Sequence, residues 1–269
     1  MRLGFINSGV MLRNILYLIV GAVFAIGVLF KFMHWPGAGE ILVVSLSGLS
    51  IALMEYAFRN RKSKLLTLDI ICPLLGVVYV LGVLFKVMHW PGAGIMLIVS
   101  IIGLSFGLAH FAFSIRRSVY AILPLLFSIT LFFVLFKILH WPKPPYVMYG
   151  SYFAFALLVP VLLFSKGHKL KSSNASLSHH FLLLGTLSLV LFLVEGLNKA
   201  TQLEKIDLIA LNHLMIIDVI LFASLVLAIS KTLQLEKLKV QFENDYLLLK
   251  CLGGIYMIIL VLFVLVKAN

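Results

Sequence analysis

Charge is scarce in this chain and acid is scarcest: Asp and Glu number 10 against 22 Lys and Arg in 269 residues, with 12% of residues charged and 62% hydrophobic. Ordinary soluble domains carry about 25% charged residues, so a soluble globule is excluded. The mean hydropathy of +1.11 agrees. Cysteine is limited to Cys72 and Cys251, too few for a disulfide scaffold. Both lie in or beside apolar runs on the side read below as cytoplasmic, where disulfides do not persist. Missing too are a phosphate-cradling glycine loop, a nucleophile elbow and an HExxH pattern; His179-His180 is a weak signal at a helix start. No enzymatic activity, metal or cofactor is therefore expected. Haem would need histidines paired within facing spans, whereas His34, His89 and His140 sit at turns.

What is present is a series of long apolar runs. A span needs about 20 such residues, because within lipid every backbone polar group must be satisfied inside the helix. Nine runs qualify: 15–33, 41–58, 65–88, 95–115, 119–139, 146–164, 180–197, 208–230 and 247–266. The expected fold is an all-α, polytopic membrane protein of about nine transmembrane helices. The net charge of +12 would suit nucleic acid in a soluble protein, but its placement decides otherwise. Arg59, Arg61, Lys62, Lys64, Arg116, Arg117, Lys166, Lys169 and Lys171 fall in every second connection, and Arg2, Arg13, Lys231, Lys237, Lys239 and Lys250 extend the pattern. This is the positive-inside distribution, and it predicts a cytoplasmic N-terminus in a bacterial cytoplasmic membrane. No small-residue cleavage site follows the first apolar run, which is read as a retained span.

One phrase recurs. "LFKFMHWPGAG" at 29–39 returns as "LFKVMHWPGAG" at 84–94 and "LFKILHWPKPP" at 135–145. Between His34 and His89 lie 55 positions, and between His89 and His140 lie 51, each unit holding two spans and one basic connection. The unit is a transmembrane hairpin used three times, over about 10–60, 65–117 and 119–164. Trp35, Trp90 and Trp141 suit the membrane interface. Pro36, Pro91 and Pro142 end one helix and open the next, and Gly37 and Gly92 let the backbone reverse. Lys143, Pro144 and Pro145 stiffen the third turn. For Lys31, His34, Lys86, His89, Lys137 and His140 two readings stand: anchors that snorkel to headgroups and tie the turn, or an ionisable surface between packed hairpins. Positioned 21 residues beyond each histidine are Glu55, His110 and Val161, so the hairpins are not equivalent.

The rest of the chain reads as a basic linker at 165–179 and a C-terminal region of three spans at 180–269. Residues 231–245 read as an interfacial segment. Asp218 lies ten residues after Leu208, about 15 Å along a helix at ~1.5 Å per residue, and an acid there marks a function or a paired core group. Glu195, near the end of its span, is placed to meet the hairpin lysines. A solute transporter would break helices at mid-membrane, where Pro73, Pro124 and Pro160 are the only hints.

The phrase "LFKFMHWPGAG" followed by an apolar helix with an acid resembles the N-terminal transmembrane hairpin of the GldL (PorL) family. That resemblance implies the cytoplasmic-membrane motor of gliding motility and type IX secretion in Bacteroidetes, in which hairpins of several subunits surround helices of a partner, GldM. It also implies that Lys31 with His34, Lys86 with His89 and Lys137 with His140 match the family's basic pair, and that Glu55 is similar to its acidic residue. The family has one hairpin and a long soluble region; this chain has three hairpins and three more spans. The expectation is a GldL-related structural or accessory subunit that packs in the bilayer against other membrane proteins, with the turns periplasmic. The alternatives are a proton- or ion-coupled motor component and a small-solute transporter.

Overall fold

The computed structural model describes residues 3–33, 35–63, 65–138, 145–203, 208–235, 238 and 241–268. Nine long helices account for most of them: α1 (Leu3–Phe32), α2 (Ala38–Arg59), α3 (Cys72–Val87), α4 (Ala93–Ser114), α5 (Ile122–Ile138), α6 (Pro145–Leu170), α7 (Ala175–Leu203), α8 (Leu208–Leu233) and α9 (Glu243–Ala268). There is no strand among the described residues. Among the described residues, eight helical segments are long and apolar enough to cross a membrane. The protein is a polytopic helical membrane protein.

The three prolines that could interrupt spans do not do so. Pro73 sits in the first turn of α3 behind a π-helical turn at Thr67–Ile71, where the Cys72 N–H bonds the Thr67 carbonyl. Proline has no N–H to offer the carbonyl four residues back, and the widened turn takes up that mismatch. Pro124 lies near the start of α5, just after a 3-10 turn at Val119–Ala121. Pro160 is carried inside a continuous α6. Mid-length breaks are thus absent among the described helices.

Consecutive helices joined by short connections run antiparallel, so the Trp-Pro-Gly turns share one end of the bundle and the basic connections the other. Each helix packs against its chain neighbours, and α8 returns to α1, closing the cycle. Inside it lies α9, the most buried of the candidate spans. It touches α1, α3, α5 and α8 and sets Tyr256 against Phe155 of α6 and Phe222 of α8. The last three helices are therefore not a body apart. Residues 165–179 are mostly the abutting ends of α6 and α7 around a turn at 171–174, and the Ser178 hydroxyl donates to the Gly167 carbonyl at 2.8 Å. In the segment 231–245, Leu238 is fully buried, so this stretch turns an apolar face into the protein.

The first two hairpins are built alike, contact for contact. Ser45 and Ser50 donate to the carbonyls of Leu42 and Leu46; 55 residues on, Ser100 and Ser105 donate to those of Leu97 and Ile101. Gly27 lies against Leu42 and Gly82 against Leu97, while Gly48 faces Val20 and Gly103 faces Leu75. These are the close approaches that small residues allow between membrane helices. The third hairpin keeps one element, Ser151 donating to the Met148 carbonyl at 3.1 Å.

Candidate functional site

At the second turn, the phrase decodes as a helix stop. The Trp90 N–H reaches the Phe85 carbonyl at 2.8 Å and the His89 N–H the Lys86 carbonyl at 3.2 Å, the paired bonds of a Schellman motif. His89 is its left-handed residue, with φ 55°. Glycine usually holds that position, and histidine is among the few other residues enriched there. Phe85 and Trp90 supply the accompanying apolar contact, edge to face at 5.1 Å. Gly92, with φ 90°, then starts α4. The first turn repeats this: Trp35 N–H to the Phe30 carbonyl at 3.0 Å, the two rings 4.9 Å apart, and Gly37 at φ 84°.

Lys31 and Lys86 are half-exposed, and His89, Trp35, Trp90, Pro36 and Pro91 are exposed. Neither lysine forms an ion pair with a described residue. Lys31, Lys86 and His89 therefore sit on the surface of the turns. His34, His140, Trp141, Pro142 and the side chain of Lys137 lie outside the described residues. Glu55 accepts from the Tyr17 hydroxyl and faces Arg59 at 3.5 Å on an exposed flank of α2. Its counterpart His110 bonds Thr67 through Nδ1 at 3.0 Å, and Val161 is exposed.

The basic end holds the strongest electrostatics, at residues the sequence reading passed over. Asp69, in the π-helical turn, is 4% exposed and receives Lys250 of α9, the Ser63 hydroxyl and the Tyr56 hydroxyl, the last at 3.2 Å. The Lys250 ammonium also lies between the rings of Tyr56 and Tyr246, 5.5 and 5.7 Å from their centres. Five residues earlier on α9, Asp245 is 3% exposed and pairs with Lys166 of α6 at 2.8 Å and with the Tyr120 hydroxyl at 3.2 Å. Two bridges thus fasten one helix to the second and third hairpins. A signal existed: Asp69 interrupts an apolar run as Asp218 does. Lys166 and Lys250 were absorbed into the charge count of the connections.

Nearer the other end, the acids have neutral partners. Glu195 meets no lysine among the described residues; it accepts from the Tyr152 hydroxyl at 2.6 Å. Asp218, 1% exposed, accepts from Asn198 Nδ2 at 2.8 Å through Oδ2, and its Oδ1 has no donor. Asn198 directly follows the apolar run 180–197, so its bond sets Asp218 level with the turn end of that run, whereas counting from Leu208 alone puts it at mid-depth. Glu195 also borders a cavity of about 200 Å³ with Thr130, Tyr149 and Tyr152. The described side chains contain no group of three or more His, Cys, Asp or Glu able to hold a metal.

The family model of the GldL N-terminal domain matches residues 16–69, which take in the first hairpin, the connection after it and the start of the π-helical turn. That part of the chain is a GldL-like N-terminal region. No curated protein and no solved structure matches the chain.

Proposed function

We propose that this protein is a GldL-related scaffold of the bacterial cytoplasmic membrane, built from three copies of the hairpin, with its own α9 held where the resemblance implies partner helices. The observation that carries this reading is the burial of α9 inside the cycle of hairpins, fastened by Lys250–Asp69 and Lys166–Asp245. With that interior filled, other membrane subunits dock on the lipid-facing perimeter. There, Val44, Ile51 and Phe58 of α2 and Val99, Phe106 and Phe113 of α4 form exposed stripes at seven-residue spacing, the period at which a second helix can follow a first. The shared contacts of hairpins one and two, and Ser151 in the third, support the threefold repeat. The turns then face the periplasm, as the placement of basic residues predicts.

The test is site-specific photo-cross-linking in native membranes. A cross-linker at Ile51 or Phe106 is expected to capture a membrane partner in stoichiometric amount, and one at the buried Leu46 to yield only internal links. If Leu46 captures a partner, or if Ile51 and Phe106 capture only lipid, the scaffold reading fails.

A further inference from the structure

We propose that the cavity among α2, α3, α4, α8 and α9 is a lipid site, taking one acyl chain of an anionic phospholipid from the leaflet at the basic end of the bundle. This goes beyond the scaffold reading and does not depend on it.

The cavity holds about 320 Å³, and its long axis follows one face of α9, where Lys250, Gly254, Ile258 and Val261 recur at three- and four-residue spacing and all border it. From Lys250 to Val261 the helix climbs about 16 Å at ~1.5 Å per residue, roughly half of the ~30 Å hydrocarbon layer. The depth is that of one leaflet. Glycine keeps the wall open: a Cβ on Gly254 would meet nothing within 4 Å. Facing α9 are Leu53 of α2, Val226 of α8 and Tyr79 of α3, whose hydroxyl already donates to the Ile258 carbonyl at 3.4 Å. Water finds few partners along such a lining, and an empty space of this size forfeits packing. A flexible hydrocarbon chain suits both the length and the lining.

Apart from Tyr79, the hydroxyl and ammonium groups of the cavity gather at its basic end, in Tyr56, Ser230 and Lys250. Lysine carries three N–H donors and Asp69 takes one of them, which leaves Lys250 donors for the ester carbonyl at which an acyl chain begins. Farther out stand the cations. Exposed Arg61 and Lys62 precede Ser63, which itself donates to Asp69, and exposed Lys231 follows Ser230. The connection 59–66 holds four cations and no acid, and residues 231–242 hold three cations and one acid. That surplus favours a phosphate of net negative charge over a zwitterionic headgroup. An uncharged quinone would gain nothing from it.

The experiment loads the full-length protein, stripped of loosely held lipid by exchange in dodecyl maltoside, with phosphatidylglycerol bearing a diazirine midway along one acyl chain. After irradiation, mass spectrometry maps the label. It is expected on Cys72 and Met257 of the cavity wall, well above the level at the lipid-facing Ile51 and Phe106. Unlabelled phosphatidylglycerol is expected to compete about tenfold better than phosphatidylcholine, and Arg61→Ala with Lys62→Ala to erase most of that preference. Gly254→Leu fills the space and is expected to lose most of the label, as is Val226→Trp, which enters from α8 and serves if the first variant does not fold. Gly196→Leu on α7, another glycine with nothing within 4 Å of its Cβ, is expected to keep it. Equal labelling of Ile51, Phe106, Cys72 and Met257 would overturn the proposal, as would undiminished label in a folded Gly254→Leu or Val226→Trp. Equal competition by phosphatidylcholine would overturn the anionic assignment, and a quinone recovered from the purified protein in stoichiometric amount would replace the phospholipid.

Discussion

At the basic end of the bundle, Asp69 and Asp245 each face a lysine from another helix; toward the turn end, Glu195 and Asp218 face a tyrosine and an amide. All four are carboxylates, but the partners differ in kind. An acid paired with lysine and hydroxyls holds a fixed charge and fixes the register of the helices that carry the pair. Among the described residues, the acids of α7 and α8 meet neutral donors and form no ion pair that ties one helix to another. The same bundle thus carries charged fastenings at one end and neutral hydrogen bonds near the other, and the difference lies in what neighbouring helices bring to each carboxylate.

The sharpest way to break this contrast is to remove one lysine. Lys250→Ala leaves Asp69 buried without its cation and is expected to cost about 3–5 kcal/mol, the range for a buried pair broken on one side. Thermal or SDS unfolding in detergent reads it, and the double variant Lys250→Met with Asp69→Leu is expected to recover most of the loss. Next comes packing. A Cβ on Gly103 would come within 2.8 Å of Leu75 side-chain atoms, so Gly103→Val is expected to lose roughly 1–3 kcal/mol by overpacking. Gly94, with nothing within 4 Å, provides the matched control. The turn histidine gives a smaller effect of opposite sign. His89→Gly relieves the left-handed backbone and is expected to gain about 1 kcal/mol, whereas His89→Val loses at least as much. A working histidine would instead show unaltered stability and lost activity in the glycine variant. The smallest effect is expected at the exposed Arg59–Glu55 pair, where Arg59→Ala should cost under about 0.5 kcal/mol in the same assay.

The helices were legible from hydropathy because a span must satisfy its own backbone, and the observed ends differ from the expected ones mainly by the extra turns of α1, α6 and α7 that run past the apolar core. The turns were legible from Trp-Pro-Gly, but the reason for histidine was not. It depends on a positive φ, which sequence spacing does not record. The place of α9 was also hidden. Hydropathy is the same whether a span faces lipid or protein, and long-range contacts such as that of Lys250 with Asp69, residues 181 positions apart, reveal which it is. Glu195 was expected among lysines because sequence fixes its depth on α7 and not its direction around the helix axis.

The central position of α9 also bears on biosynthesis. It leaves the ribosome after α1–α8, so until it packs, Asp69 and Lys166 lack the partners that Lys250 and Asp245 bring. Packing of the ninth helix pairs both at once.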